Sequence, residues 1–253
     1  MAVDAASEWV AALLLCSVRI AAWLVIAPPF ASRAVPGSVK AVLSLAMSLP
    51  LLPTVRSSLP SVDVGSLAVA VAAQVVIGAG LGFCCYLLFV AVQAAGDLLD
   101  VSGGFSLAFA YDPFLQAQNS VLGRFYGLLA ITLLLVTDAW LVVWRGLLHS
   151  FTLLPLDATL DLTRLAAALT DGAGEMLLVA LQIAGPLIAV LFLSDVGLGL
   201  ATRIAPQLNA FSTGFPLKML LTLVMLGFGL VTLPGVVTDL AGRMTTVTVG
   251  IIR

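Results

Sequence analysis

His149 is the only histidine in the chain, and it stands beside Ser150 in LLHSFTLLP. A single imidazole excludes a zinc centre built of several histidines, and no HExxH occurs. A serine–histidine nucleophile pair is the other chemistry this juxtaposition suggests. Neighbouring residues on a helix point about 100° apart, however, and no third group is placed to orient the ring. His149 is therefore expected to cap or border a helix end. Asp97 and Asp100 lie on one helical turn. Two carboxylates so spaced can hold a cation weakly, or they can mark a solvated helix end, which is the expectation here. The cysteines, Cys16 and the neighbours Cys84 and Cys85, all sit in apolar runs without a CxxC spacing. They are expected to be buried thiols packing as small apolar groups. GxSxG and Walker A patterns are missing from the sequence. No metal, no cofactor and no catalysis are expected of this chain.

The elements that would carry these residues are set by composition. Of 253 residues 61% are hydrophobic and 9% charged, with a mean hydropathy of +1.17. Soluble domains run nearer to 45–50% apolar and about 25% charged. So apolar a chain must be covered over much of its surface by lipid or by other hydrophobic chains. The net charge of −2 and the lack of a basic run give no sign of nucleic-acid binding. The first residues, MAVDAASEW, are acidic where a secretory signal would be basic, and Arg19 interrupts the apolar run that follows. No cleaved signal peptide is read.

Six apolar blocks follow one another, over 9–31, 39–54, 64–95, 125–148, 176–202 and 214–237. A membrane-crossing helix needs about 20 apolar residues. The first, fourth, fifth and sixth blocks meet that length. The second is short and bounded by Pro36, Pro50 and Pro53, and is not expected to span. The third is too long for one straight crossing and is expected to tilt or project. The fold class is thus all-α, a membrane-associated set of about six apolar helical blocks.

Arg19, Asp138, Asp195 and Gly185-Pro186 interrupt these blocks. Ionisable groups at membrane depth cost several kcal/mol unless they face partners or cavities. Asp195, Gly199 and Arg203 share one helical face at spacings of four and eight, too far apart for the two charges to pair. Each is expected to find its partner on another helix or chain. Positive charges divide almost evenly between the two sides of the expected spans, where a simple polytopic protein shows a bias. Gly78 and Gly82, and Gly123 and Gly127, are four apart, a spacing that lets helix backbones approach. Packing within one chain is the plainer expectation there. Residues 155–175, PLDATLDLTRLAAALTDGAGE, are the most polar stretch and predict a short amphipathic helix.

Between the third and fourth blocks runs GGFSLAFAYDPFLQAQNS, residues 103–120. A loop is normally polar because its backbone faces water, yet this one carries many aromatic and leucine side chains. Its glycines permit sharp backbone turns. Two readings of its residues stand: an interfacial aromatic belt or packing against helices, and a water-excluding constriction of the kind that gates by dewetting.

Three stretches carry a resemblance to a known family. They are IAPPFASRAVPGSVKAVLSLAMSLPLLP, then GDLLDVSGGFSLAFAYDPFLQAQNSVLGRFYGLLAITLLLVTDAWLVVWRGLLHSFTLLPL, then QIAGPLIAVLFLSDVGLGLATRIAPQLNAFSTGFPLKMLLTLVML. In that order they resemble the FliR family of flagellar export-gate proteins, which has an injectisome branch. The likeness covers most of the chain and rests on blocks punctuated by proline and glycine. Pro206-Gln207-Leu208-Asn209 followed by Gly214-Phe215-Pro216-Leu217-Lys218 looks like the tight connection of a helical hairpin. There are departures: Asp138 is followed by Ala139-Trp140 where relatives often carry Gly-His, and Phe114 stands where many are more polar.

The resemblance implies a single subunit in which residues 1–175 are FliP-like and 176–253 form a FliQ-like hairpin. It implies a helical complex with FliP-like and FliQ-like subunits and an FlhB-like export-switch protein, in the bacterial inner membrane at the flagellar basal body. Unfolded flagellar proteins would pass through its pore. Residues 102–120 would plug that pore, with Gly103, Gly104, Phe105, Ser106, Leu107, Phe109, Tyr111, Asp112 and Pro113 in the plug. Asp195, Arg203, Gln207, Asn209 and Lys218 would meet partner subunits. Two alternatives are an injectisome gate subunit for effector secretion and a small-molecule secondary transporter. Broken helices and membrane-level charges suit a transporter too, but no two similar halves are visible.

Overall fold

The computed structural model describes residues 2–32, 35–55, 58–60, 63–105, 120–157, 161–205 and 210–250, without the side chains of 2–6, 210–213 and 244–250. Everything regular among these residues is helical: α1 (Ala2–Ile26), α2 (Gly37–Ser48), a 3-10 turn (Leu49–Leu51), α3 (Leu52–Val55), α4 (Val64–Gly103), α5 (Val121–Val136), α6 (Ala139–Leu153), α7 (Leu162–Ile204) and α8 (Ala210–Gly250). The all-α expectation holds. Five stretches are long and apolar enough to cross a membrane, and α5 with α6 would add a sixth.

Four sequence expectations are corrected in detail. The second block reaches spanning length after all, as Gly37–Val55. Pro50 sits at the start of the 3-10 turn and Pro53 in the first turn of α3, where a missing N–H leaves no bond unmade. The fourth block is not one helix. It breaks between Val136 and Ala139, where Asp138 takes the left-handed conformation at φ 55°. The polar stretch 155–175 holds no separate short helix, because α7 runs unbroken for 43 residues from Leu162. Gly172 and Gly174 are the weakest helix formers within that part of α7, at about 1 kcal/mol each, and they do not outweigh the apolar run beyond. Finally, Gly214–Lys218 do not form the bend of the last hairpin: α8 has begun by Ala210 and contains Pro216 and Pro234. The third block lies in one 40-residue helix, longer than a single straight crossing needs.

The chain divides into two compact units. The first comprises residues 1–88, 138–173 and 240–253. Its α1 buries Leu15, Cys16, Ile20, Trp23 and Leu24. Trp23, Phe30 and Trp144 stack as a cluster, with Trp23 and Trp144 centroids 5.2 Å apart. The glycines of α4 explain how α1 comes so near. A Cβ on Gly78 would overlap the Arg19 carbonyl oxygen and lie 3.0 Å from Ala22 Cβ, and one on Gly82 would lie 3.1 Å from Ile26 Cβ. The spacing of four is thus a packing face inside the chain. All three cysteines are buried and free, as expected.

Arg19 is the polar centre of this unit and is fully buried. Its Nε donates to Gln74 Oε1 at 2.6 Å, Nη1 to the Ser150 carbonyl at 3.0 Å, and Nη2 to the Leu154 carbonyl at 2.8 Å. The guanidinium also lies 4.3 Å from the Phe151 ring centre. Gln74 in turn donates to the Leu156 carbonyl at 3.4 Å. The last carbonyls of α6 have no partners within their own helix and carry the negative end of its dipole. Arg19 supplies donors and charge together, so the interruption read in the first block is answered inside the chain.

The second unit comprises residues 89–137 and 174–239. Here α4 and α5 approach through another glycine pair: a Cβ on Gly96 would lie 2.6 Å from the Leu122 carbonyl and 2.7 Å from Gly123 Cα. Gly127 faces Gln93. α7 continues through Pro186 without ending. Leu191 and Leu233 are buried, whereas much of the remaining apolar surface of α7 and α8 is open.

Candidate functional site

Two places hold the residues singled out in the sequence. The first is the root of the aromatic stretch, built at the facing ends of α4 and α5 in the second unit. Gly103 is the last residue of α4, and Gly104 follows it in the left-handed conformation at φ 84°. The Gly104 N–H donates to the Val101 carbonyl at 3.3 Å and the Phe105 N–H to the Asp100 carbonyl at 3.1 Å. These two reverse bonds are the Schellman closure of a helix, and glycine at that position avoids the Cβ penalty. The same glycines let the backbone press on α8. A Cβ on Gly103 would lie 2.6 Å from Thr222 Oγ1, and one on Gly104 3.1 Å from Phe215 Cζ.

The far side of the root starts α5. Ser120 is its N-cap, accepting from the Gly123 N–H at 2.8 Å. The Ser120 hydroxyl donates to Asp97 Oδ1, and Asp100 Oδ1 accepts from the Leu122 N–H at 3.1 Å. The two aspartates are therefore not a solvated helix end. Asp100 is 1% exposed, and the pair closes the N-terminus of the next helix, where free N–H groups and the dipole favour negative charge. Asp100 Oδ2 is buried without a hydrogen bond.

Of the expected plug residues, Gly103, Gly104 and Phe105 thus lie at this root. Ser106, Leu107, Phe109, Tyr111, Asp112 and Pro113 fall outside the described residues. Asp97 and Asp100 were legible only as a turn of carboxylates, and Ser120 was not singled out in the sequence. Thr222 and Phe215 had no sequence signal, because only the folded chain brings them to the glycines.

The second place is the pair α7 and α8. Lys218 Nζ donates to Asp195 Oδ2 at 2.7 Å, so the carboxylate read as needing a partner on another helix has one within the chain. The two side chains remain 19% and 46% exposed, respectively. Arg203 stands in the last turn of α7, exposed, where its charge suits the helix dipole. It is not brought to Asp195. Gln207 and Asn209 lie outside the described residues.

Nothing at either place assembles a reactive centre among the described residues. Among the described residues no three histidine, cysteine, aspartate or glutamate side chains gather as metal ligands. His149 is exposed near the end of α6, its carbonyl accepting from Thr152 Oγ1 at 2.8 Å, while Ser150 is buried and donates to the Leu147 carbonyl. They border the helix end and do not act as a pair. The polar groups end, start and lock apolar helices, and the class they define is a polytopic all-helical membrane protein.

Comparison with known proteins narrows that class. The family described as "Bacterial export proteins, family 1" matches residues 10–244, and the chain belongs to it. It is 31% identical over 219 residues to the flagellar biosynthetic protein FliR of Bacillus subtilis, covering 85% of this chain and 84% of that one. It is 32% identical over 230 residues to the protein of the same name from Pectobacterium carotovorum, covering 90% and 87%. The surface presentation of antigens protein SpaR of Shigella flexneri is 29% identical over 155 residues, covering 60% and 59%.

Proposed function

We propose that this chain is a structural and gating subunit of the flagellar type III protein export gate, seated in the bacterial inner membrane at the basal body. The observation that carries this is the likeness to proteins named as flagellar biosynthetic, over 85% and 90% of the chain. The injectisome relative aligns over only 60%, so the flagellar reading is the better supported of the two branches. On this reading the chain joins FliP-like, FliQ-like and FlhB-like subunits around a pore for unfolded proteins, with residues 1–175 as its FliP-like part and 176–253 as its FliQ-like part. Asp195, Arg203, Gln207, Asn209 and Lys218 serve the contacts with those subunits.

Residues 102–120 are the plug. A helix stop at Gly103-Gly104 and a capped helix start at Ser120 bound this apolar stretch, which supports its reading as an insert held at both ends. The test is co-expression with the candidate partners and deletion of residues 106–110, which leaves the Gly104 and Phe105 closure of α4 in place. The complex should still assemble, and the membrane should leak small ions. Unchanged conductance would remove the plug, and a chain that purifies alone would remove the gate reading itself.

A further inference from the structure

We propose that the α7 face carrying Phe192, Asp195, Val196, Gly199 and Arg203 is a docking strip for one helix of another subunit, a helix that carries an acidic side chain opposite Arg203. This rests on the export-gate reading and adds the chemistry of the partner. Three observations meet on the strip. First, it is open: Phe192 is 63% exposed, Val196 and Arg203 are also exposed, and Asp195 keeps 46% of its side chain accessible.

Second, the strip bears charge at both ends. Asp195 and Arg203 are eight residues apart, about 12 Å along the axis at about 1.5 Å per residue. α7 belongs to a stretch apolar enough to cross a membrane, and charged groups on such a helix turn to protein or water in preference to acyl chains. Lys218 occupies only Oδ2 of Asp195. Among the described residues Arg203 forms no ion pair.

Third, a notch lies between the charges. A Cβ on Gly199 would meet nothing within 4 Å, so the chain itself makes no use of that glycine's smallness. A close helix crossing would use it. The occupant that fits is a helix crossing at Gly199. It places a carboxylate against Arg203 and a hydroxyl, amide or ammonium donor against the free oxygen of Asp195, the two about 12 Å apart along α7.

The open space at Gly199 makes the test clean, because a larger side chain there leaves this chain's own packing alone. Gly197 is equally open but points about 200° away round the helix, which makes it the control. Full-length chain is co-expressed with the FliP-like and FliQ-like candidates, and the fraction retained in the purified complex is measured. Gly199→Leu and Arg203→Glu should each reduce retention at least about tenfold, the change expected for one desolvated charge pair or one blocked crossing. Gly197→Leu and Arg203→Lys should retain wild-type levels. If Gly199→Leu and Arg203→Glu are both retained normally, acyl chains or headgroups cover the strip and the inference is overturned. A wild-type chain that fails to copurify overturns the gate reading, which is a separate outcome.

Discussion

Replacing Arg19 with methionine removes a guanidinium from the centre of the first unit while keeping most of its volume. Two acceptors, Gln74 Oε1 and the Leu154 carbonyl, then lose the donors that satisfy them. The Ser150 carbonyl keeps the Leu154 N–H, at 2.9 Å. A buried acceptor left alone costs about 1–3 kcal/mol, and relief from burying a charge offsets part of the total. The expected loss is about 3 kcal/mol. Gln74→Leu leaves Arg19 Nε and the Leu156 carbonyl unpaired, at about 2 kcal/mol by the same rule. In the double variant the 2.6 Å bond between the two side chains is lost only once. Its combined cost should therefore fall short of the sum by about 1.5 kcal/mol, a typical coupling for a charge-assisted bond. Unfolding in mixed detergent micelles titrated with dodecyl sulfate, followed by circular dichroism, gives the four free energies. Additivity to within about 0.4 kcal/mol would refute the reasoning, since it would mean that Arg19 and Gln74 do not share a network.

Gly78→Ala should destabilise the first unit by about 2 kcal/mol, as overpacking against a backbone carbonyl does, because the Arg19 oxygen cannot move without α1. The same titration reads this, with Gly185→Ala, whose Cβ would meet nothing, as the silent comparison. Ser120→Ala should cost about 1 kcal/mol by orphaning the Gly123 N–H and Asp97 Oδ1, and amide exchange should show fraying confined to the first turn of α5.

The apolar blocks were legible because spanning helices write their length directly into hydropathy. Their breaks were less so. Gly103-Gly104 were read as permitting a sharp turn, and Gly104 takes the left-handed step that closes α4. Asp138 gave no comparable signal: an aspartate tolerates φ above zero, but nothing nearby demands it. The prolines misled in the other direction. Pro50 and Pro53 looked like ends and are accommodated in first turns. Pro186 lies within an unbroken helix, its lost bond outweighed by continuous apolar neighbours. Asp97 and Asp100 looked solvated because the sequence shows their own helix and not the N-terminus of α5 folded against them. Charge placement was read correctly in kind, since Arg19 and Asp195 both demanded partners, but the partners lie dozens of residues away and only the fold identifies them.

Which charges a chain answers for itself says where other chains are needed. Arg19 is enclosed, with each donor nitrogen directed at an oxygen of its own unit. An apolar stretch of α4 long enough to span is 56% buried. The later helices are left open: the corresponding stretches of Leu162–Ile204 and Gly214–Arg243 are 22% and 17% buried. Apolar surface alone would be content with acyl chains, so openness does not by itself require a partner. The charges make the difference. Asp195 and Lys218 pair and still stay partly accessible, and Arg203 is exposed one residue from the end of α7. A helix built only for lipid gains nothing from an acid and a base flanking a glycine whose missing side chain its own fold never fills. The same arrangement on a subunit of a multi-chain gate sets the register of the next helix, because an ion pair displaced by one turn, about 5.4 Å, is no longer an ion pair. On the proposed export-gate reading the two ends of the chain use charge differently, the first unit to fix its own fold and α7 to fix the position of a neighbour.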